Sequence, residues 1–121
     1  GKLIHFLKKN KSLNKSFAIE TEKKGFLKAE LDYKLIKKLT NYFLYEITLL
    51  SGRHHQIRVQ LSTIGSPIKG DVKYGFPRTN KNSSIHLHAR EIQFTHPVKN
   101  KTLKIMANPD QNDIIWKNCM E

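Results

Sequence analysis

Residues 28–36 alternate between apolar and polar side chains. Ala29, Leu31, Tyr33 and Leu35 fall on one side, and Glu30, Asp32 and Lys34 on the other. A period of two is that of a half-buried strand. A second strand is predicted over residues 42–50, with Phe43, Tyr45, Ile47 and Leu49 sharing a face. The polar stretch from Lys37 to Asn41 joins the two as an antiparallel hairpin. The spacing then changes. Ile57, Leu61 and Ile64 recur at i, i+4 and i+7, which predicts a helix over 54–64 with that stripe toward the core. Gly65 supplies its stop, and Pro67 follows.

Further along, Ile85, Leu87 and Ala89 alternate before the parity switches to Ile92 and Phe94. A strand over 85–95 with a bulge near Arg90 and Glu91 accounts for the switch. Residues 96–101 read as a turn. Leu103, Ile105 and Ala107 mark the returning strand. Asn108-Pro109-Asp110-Gln111 has the composition of a helix opening, with Asn as cap and Pro in the first position. That helix is expected to half-bury Ile114, Ile115, Trp116 and Cys119. Residues 8–16 read as an exposed basic loop and residues 76–84 as a mobile loop. Strands with two short helices, and no alternating βαβ units, define an α+β class with a mostly antiparallel or mixed sheet. Residues 1–121 form one domain on this reading.

Charge narrows the partner. The chain carries 22 Lys+Arg against 10 Asp+Glu, a formal net charge of +12, and a pI near 9.9. A polyanion is the natural counterpart. Nucleic acid outranks a membrane surface, because the cations do not line one face of a long amphipathic helix. The apolar runs are too short to span a bilayer. The first residues lack the apolar core of a signal peptide. A single cysteine, Cys119, excludes an intrachain disulfide and a Cys-x-x-Cys zinc site. The histidines lack metal-binding spacing: no H-x-x-x-H or H-E-x-x-H occurs. The expected location is the cytoplasm.

The candidate chemistry sits at Ser51-Gly52-Arg53-His54-His55-Gln56-Ile57-Arg58-Val59. Such a cluster is poor core material and good anion-binding material. On a helical wheel, His54, Arg58 and Ser62 form one stripe bordering the apolar face. Arg58 is therefore expected to be partly buried, and a partly buried guanidinium requires a carboxylate or phosphate. A local carboxylate with no further role meets that requirement equally well. Arg53, at the helix entrance, is placed to contact phosphate together with free backbone N–H groups. An ordinary solvated charge is the plainer reading of Arg53.

Gly52-Arg53-His54-His55-Gln56-Ile57-Arg58-Val59 resembles the G-R-[TS]-H-Q-I-R-V motif of RluA-type pseudouridine synthases. Ile64-Gly65-Ser66-Pro67-Ile68 is similar to that family's I-G-H-P-I. Gly70-Asp71-Val72-Lys73-Tyr74-Gly75 is similar to G-D-x-x-Y-G, Leu87-His88-Ala89 to L-H-A, and Phe94-Thr95-His96-Pro97 to F-x-H-P. Several blocks in one order are far more specific than any one of them. Lys28 to Tyr33 also resembles the strand that precedes these blocks. The chain departs from the pattern at His54, Gln60 and Ser66, where Thr or Ser, His and His are usual.

The resemblance implies an enzyme that converts uridine to pseudouridine in ribosomal or transfer RNA, with the target nucleotide drawn out of its stack and no metal or cofactor. It implies that Arg58 pairs with an essential aspartate in an H-R-L-D motif, and that Arg53, His54, His55 and Gln56 contact RNA. H-R-L-D does not occur in residues 1–121. The chain thus reads as the C-terminal half of a pseudouridine synthase catalytic fold, inactive alone. Half a domain is expected to self-associate or to leave a sheet edge open. The alternatives are a non-catalytic RNA-binding module and a basic ribonucleoprotein component.

Overall fold

A computed structural model describes residues 1–95 and 102–120. Backbone contacts divide the chain into two compact units, Gly1–His86 and Leu87–Glu121. The α+β class stands, with antiparallel strands and two short helices.

The first unit opens on a hairpin. Strand β1 (Lys2–Asn10) pairs antiparallel with β2 (Lys15–Ile19). The basic segment 8–16 is therefore a loop only at its centre, over 11–14. Lysines are poor loop markers here because the strand sends Lys8 to solvent while its neighbour Leu7 is buried. The turn has its own chemistry. Asn10 Oδ1 accepts from Ser12 Oγ at 2.9 Å and from Leu13 N at 3.2 Å. Asn14 takes a left-handed φ of 46°, which asparagine tolerates.

Strand β3 (Leu27–Lys38) pairs with the other side of β1, and β4 (Phe43–Leu49) pairs with β3. The sheet order is β2-β1-β3-β4. The predicted hairpin is β3–β4, with an irregularity between Leu35 and Lys37. Register aligns His5 with Ala29, Leu3 with Leu31, and Leu7 with Ala18. That face is the buried one: Ala29 and Leu31 are fully inaccessible. Burial fades along β4. Phe43 is 59% exposed and Leu49 49%, and β4 forms one edge of this sheet.

Helix α1 (Gln56–Thr63) covers the buried face. Its Val59 joins Leu7, Ala29 and Tyr74 in the core. The apolar stripe expected to point inward does not: Ile57 and Leu61 are half-buried and Ile64 is 45% exposed. Gln56, Val59 and Gln60 are the buried positions. The reason is hydrogen bonding. Gln56 Nε2 donates to the Glu30 carbonyl at 3.0 Å, and Gln60 Nε2 to the Ala29 carbonyl at 3.3 Å. Both amide nitrogens are thereby paired, which offsets most of the cost of burying them, while Gln60 Oε1 is buried with no hydrogen-bond partner among the described residues. Gln60 Nε2 also lies 2.8 Å from His5 Nδ1, itself buried.

The predicted stop operates as expected. Gly65, at φ 84°, donates its N–H to the Ser62 carbonyl, and Ser66 donates to that of Leu61. This is a Schellman closure. A single 3₁₀ turn, Val72–Tyr74, follows. Gly70, at φ 87°, precedes it; a Cβ there would lie 2.5 Å from the Asn80 amide. Asn80 anchors the irregular segment 76–84 through a bond from its Nδ2 to the Ser84 carbonyl at 2.8 Å.

The second unit is a β5 (Glu91–Thr95) and β6 (Thr102–Met106) hairpin followed by α2 (Ile114–Met120). The predicted strand 85–95 is shorter than expected and begins where a bulge was placed. The predicted turn over 96–101 lies outside the described residues. The last helix starts later than Asn108. Asp113 caps it, its Oδ1 accepting from Ile115 N at 2.9 Å and Trp116 N at 3.1 Å. Asp and Asn cap about equally well, so the cap motif at Asn108 did not by itself decide where the helix begins. Ile115, Trp116 and Cys119 are half-buried as expected, whereas Ile114 is 68% exposed.

Candidate functional site

Arg58 lies on α1 with its guanidinium on the carboxylate of Asp71. Nε donates to Oδ2 at 2.9 Å and Nη2 to Oδ1 at 2.8 Å. This is the two-pronged geometry that arginine favours. The Arg58 side chain is 21% exposed and that of Asp71 1%. The partly buried, partnered arginine expected from the sequence is therefore present. The partner expected from the resemblance lay beyond the chain, whereas the carboxylate in contact is Asp71, just ahead of the 3₁₀ turn. The hydrogen bonds that Arg58 donates to Asp71 raise its pKa; burial opposes them, and the Asp71 charge adds to the rise.

The other side of Arg58 meets aromatic and imidazole groups. Its guanidinium carbon sits 4.9 Å from the centroid of the Tyr74 ring, a cation–π distance. Nη1 approaches His55 Nε2 at 3.3 Å. A guanidinium only donates, so Nε2 is the acceptor and the His55 proton is on Nδ1. Nδ1 then donates to the Tyr74 hydroxyl at 2.7 Å. The same hydroxyl accepts the Ser16 N–H at 2.9 Å. Tyr74 thus links the edge strand β2 to the arginine.

His54 and His55 are not the first turn of the helix, as the periodicity had it. Both precede it, and His55 caps it in a left-handed conformation, φ 53° and ψ 26°. A non-glycine residue held there stores strain that its surroundings must offset. The surroundings are the stacked His54 ring at 3.7 Å and the edge-on Tyr74 ring at 5.5 Å. His54 is held in turn. Its Nδ1 lies 2.8 Å from Ser16 Oγ, which donates to the His54 carbonyl at 2.9 Å.

Burial first, then the charges of Arg58, His54 and Lys73, push His55 down to about 4, with Asp71 opposing. Burial also lowers His54, followed by the charges of Lys9, Arg58 and Lys73, and it lowers His5. An unfolded His55 takes up its proton near 6.5; the folded one resists until about 4. Between those values the unfolded state binds more protons, so stability falls as pH drops through that window. We expect urea midpoints to be flat above about pH 7 and to fall from there toward pH 4. The loss is about 2 kcal/mol after allowing for solvent screening. His55→Asn flattens the slope; an unchanged slope contradicts the assignment.

The remaining site residues divide. Gln56, read as an RNA contact, is 3% exposed. Its Oε1 accepts from Ser51 Oγ at 2.9 Å and from Arg53 N at 3.0 Å. With Nε2 on the Glu30 carbonyl, the amide is committed to tying the 51–53 segment to β3. It is a positioning group for the loop that carries Arg53. Arg53 is exposed, its Nε on the Lys28 carbonyl at 2.8 Å, which leaves the charge at the surface. Asp71, Tyr74 and Ser16 were missed as site residues. The G-D-x-x-Y-G block held the signal for the first two.

Among the described residues no group of three or more His, Cys, Asp or Glu is placed to hold a metal. His88 instead bonds the Ala107 carbonyl through Nε2 at 2.9 Å. No helix among the described residues is long and apolar enough to cross a membrane.

The arrangement is an anchored arginine with a stacked histidine pair on an antiparallel sheet, in a strongly cationic chain. The sequence pattern of the family described as RNA pseudouridylate synthase matches residues 4–63. Similar proteins include "tRNA pseudouridine synthase C" of Pasteurella multocida, 34% identical over 100 residues, covering 75% of this chain and 41% of that protein. "Ribosomal large subunit pseudouridine synthase D" of Zymomonas mobilis is 31% identical over 102 residues, 77% and 32% of the respective chains. "Ribosomal large subunit pseudouridine synthase C" of Vibrio cholerae is 34% identical over 85 residues, 65% and 27%. The chain belongs to the RluA-type pseudouridine synthase family. It spans about a quarter to two-fifths of the length of the relatives it matches.

Proposed function

We infer that this chain is part of an RNA pseudouridine synthase acting on uridine in ribosomal or transfer RNA in the cytoplasm. The reaction is an isomerisation: the carbon–nitrogen glycosidic bond is exchanged for a carbon–carbon bond, and a proton moves from base carbon to base nitrogen. In this reading residues 1–121 are one side of a single catalytic domain. They supply Arg58 and a basic RNA-binding surface that includes Arg53, beside the half-buried His54 and His55. The catalytic aspartate comes from an H-R-L-D motif outside them.

The observation that carries the reading is how Arg58 is used. Asp71 takes the Nε–Nη2 edge. Among the described residues, Nη1 makes one long contact, 3.3 Å to His55 Nε2. A guanidinium with one edge anchored and another lightly engaged is suited to receive a second anion. A catalytic carboxylate or a phosphate fits there. A merely structural basic protein needs no such arginine, which favours the enzyme over a ribonucleoprotein component.

The test is direct. The purified 121-residue chain, incubated with a uridine-containing RNA, yields no pseudouridine by mass spectrometry or by tritium release from labelled uridine. Turnover by this chain would sink the assignment of the catalytic aspartate to a segment outside it. The exposed apolar residues of β4 favour self-association of the isolated chain, which light scattering on the same sample reads out.

A further inference from the structure

Beside Tyr74 lies an open trough of about 490 Å³ that the Arg58 site does not use. It runs between the edge strand β2 and the α1–3₁₀ segment. Val59 lies at its base, and Phe17, Val72 and Tyr74 border it. Phe17 is 44% exposed and Val72 47%. Lys15 and Lys73 also line it. The Lys15 ammonium sits 5.6 Å from the Phe17 ring and 5.5 Å from the Tyr74 ring. Lys73 is held in place by the Leu13 and Asn14 carbonyls, the latter at 3.0 Å.

We propose that this trough seats a second nucleotide of a single-stranded RNA, next to the one received at Arg58. The proposal rests on the RNA reading above. An exposed ring beside a cation is the pairing that binds single strands: the base stacks and the phosphate meets the ammonium. Ser62 and Thr63 border the same space; their hydroxyls donate to the Tyr74 and Val59 carbonyls, which leaves each oxygen as an acceptor for a ribose hydroxyl or base N–H. Geometry connects it to the site. Lys15 and Arg58 both lie over the Tyr74 ring, at 5.5 and 4.9 Å from its centroid. The two cations are therefore separated by no more than the sum of those distances, a span that neighbouring nucleotides of one strand bridge. An acidic peptide would meet the lysines but has no use for the exposed ring.

The test is fluorescence anisotropy of an end-labelled oligouridylate with the purified chain at low salt. Phe17→Ala weakens binding about fivefold or more, as loss of one stacked base requires. Phe17→Tyr restores it. Lys15→Ala weakens binding and lowers the slope of log affinity against log salt by about 0.7, one phosphate on a single strand. Phe17→Leu keeps the bulk and removes the ring, so it decides the matter if the alanine variant unfolds. Wild-type binding with no effect of Phe17→Ala or Phe17→Leu overturns the trough and leaves the RNA reading standing. Absence of oligouridylate binding by the wild type overturns both. Equal weakening of heparin, an anion without bases, by Phe17→Ala overturns the stacking.

Discussion

Arg58→Lys in the full-length protein lowers pseudouridine formation by at least about a hundredfold, the cost of removing one preorganised charged donor from a reacting site. Lysine is the informative choice. It keeps a positive charge beside Asp71 but presents a single ammonium instead of a planar fork. An ammonium drawn to the Asp71 carboxylate leaves nothing at the position of Nη1. Arg58→Met removes activity as well, but it also strands a carboxylate that is 1% exposed. Its loss would mix chemistry with folding. Arg58→Met combined with Asp71→Asn separates the two, because the amide carries no charge to strand. Rates are measured as single-turnover pseudouridine formation, with circular dichroism melts on the same variants. A lysine variant that folds and turns over at the wild-type rate refutes the role given to Arg58.

The division between what the sequence disclosed and what it concealed follows from where each signal resides. The β3–β4 hairpin was legible because Ala29, Leu31 and their neighbours alternate against Glu30 and Asp32, a purely local pattern. The β1–β2 hairpin was not, because Lys8, Lys9 and Lys15 mask it. Edge and outward-facing strand positions accept lysine readily. The helix was found but its inner face was not. Gln56 and Gln60 are polar by composition and buried by context, since their partners are carbonyls of β3, far away in sequence. A periodicity argument ranks such positions as exposed. His55 escaped for another reason: histidine is enriched in the left-handed region, but such positions are too uncommon for that preference to place a cap.

The site itself divides in the same way. Partial burial of Arg58 was expected from its place beside the apolar stripe; it holds because Asp71 and Tyr74 cover it, since that stripe does not face the core. The partner was not legible, because Asp71 reaches Arg58 only after the helix stops at Gly65 and the chain turns back through Gly70. Read along the sequence, Asp71 looks like an ordinary turn residue. The contact depends on Gly70 accepting a positive φ while the Asn80 amide packs against it. Charge predicted a polyanion, and the family relationship agrees with it, but net charge alone carries no information about which arginine is anchored.

Asp71→Ala destabilises the chain by about 3 kcal/mol, the lower end for a broken buried ion pair. The lower end applies because the Arg58 side chain keeps 21% of its exposure and water can reach it. The loss has two parts. Arg58 forfeits two charge-assisted hydrogen bonds of 2.9 and 2.8 Å, and the void left by the carboxylate opens next to the 3₁₀ turn. Asp71→Asn loses less, since the amide oxygen still accepts one of those bonds. A loss of this size is a large fraction of the usual margin of stability. Urea unfolding followed by circular dichroism measures it, and a double-mutant cycle with Arg58→Met isolates the pair. Strong coupling, with the double variant more stable than the sum of single losses predicts, identifies Asp71 as the anchor of the arginine. Additive effects, or a loss under about 1 kcal/mol for Asp71→Ala, contradict it. In the first case Tyr74 and His55 inherit a fixed Arg58, and the lightly engaged Nη1 edge is held ready for a second anion before any substrate arrives.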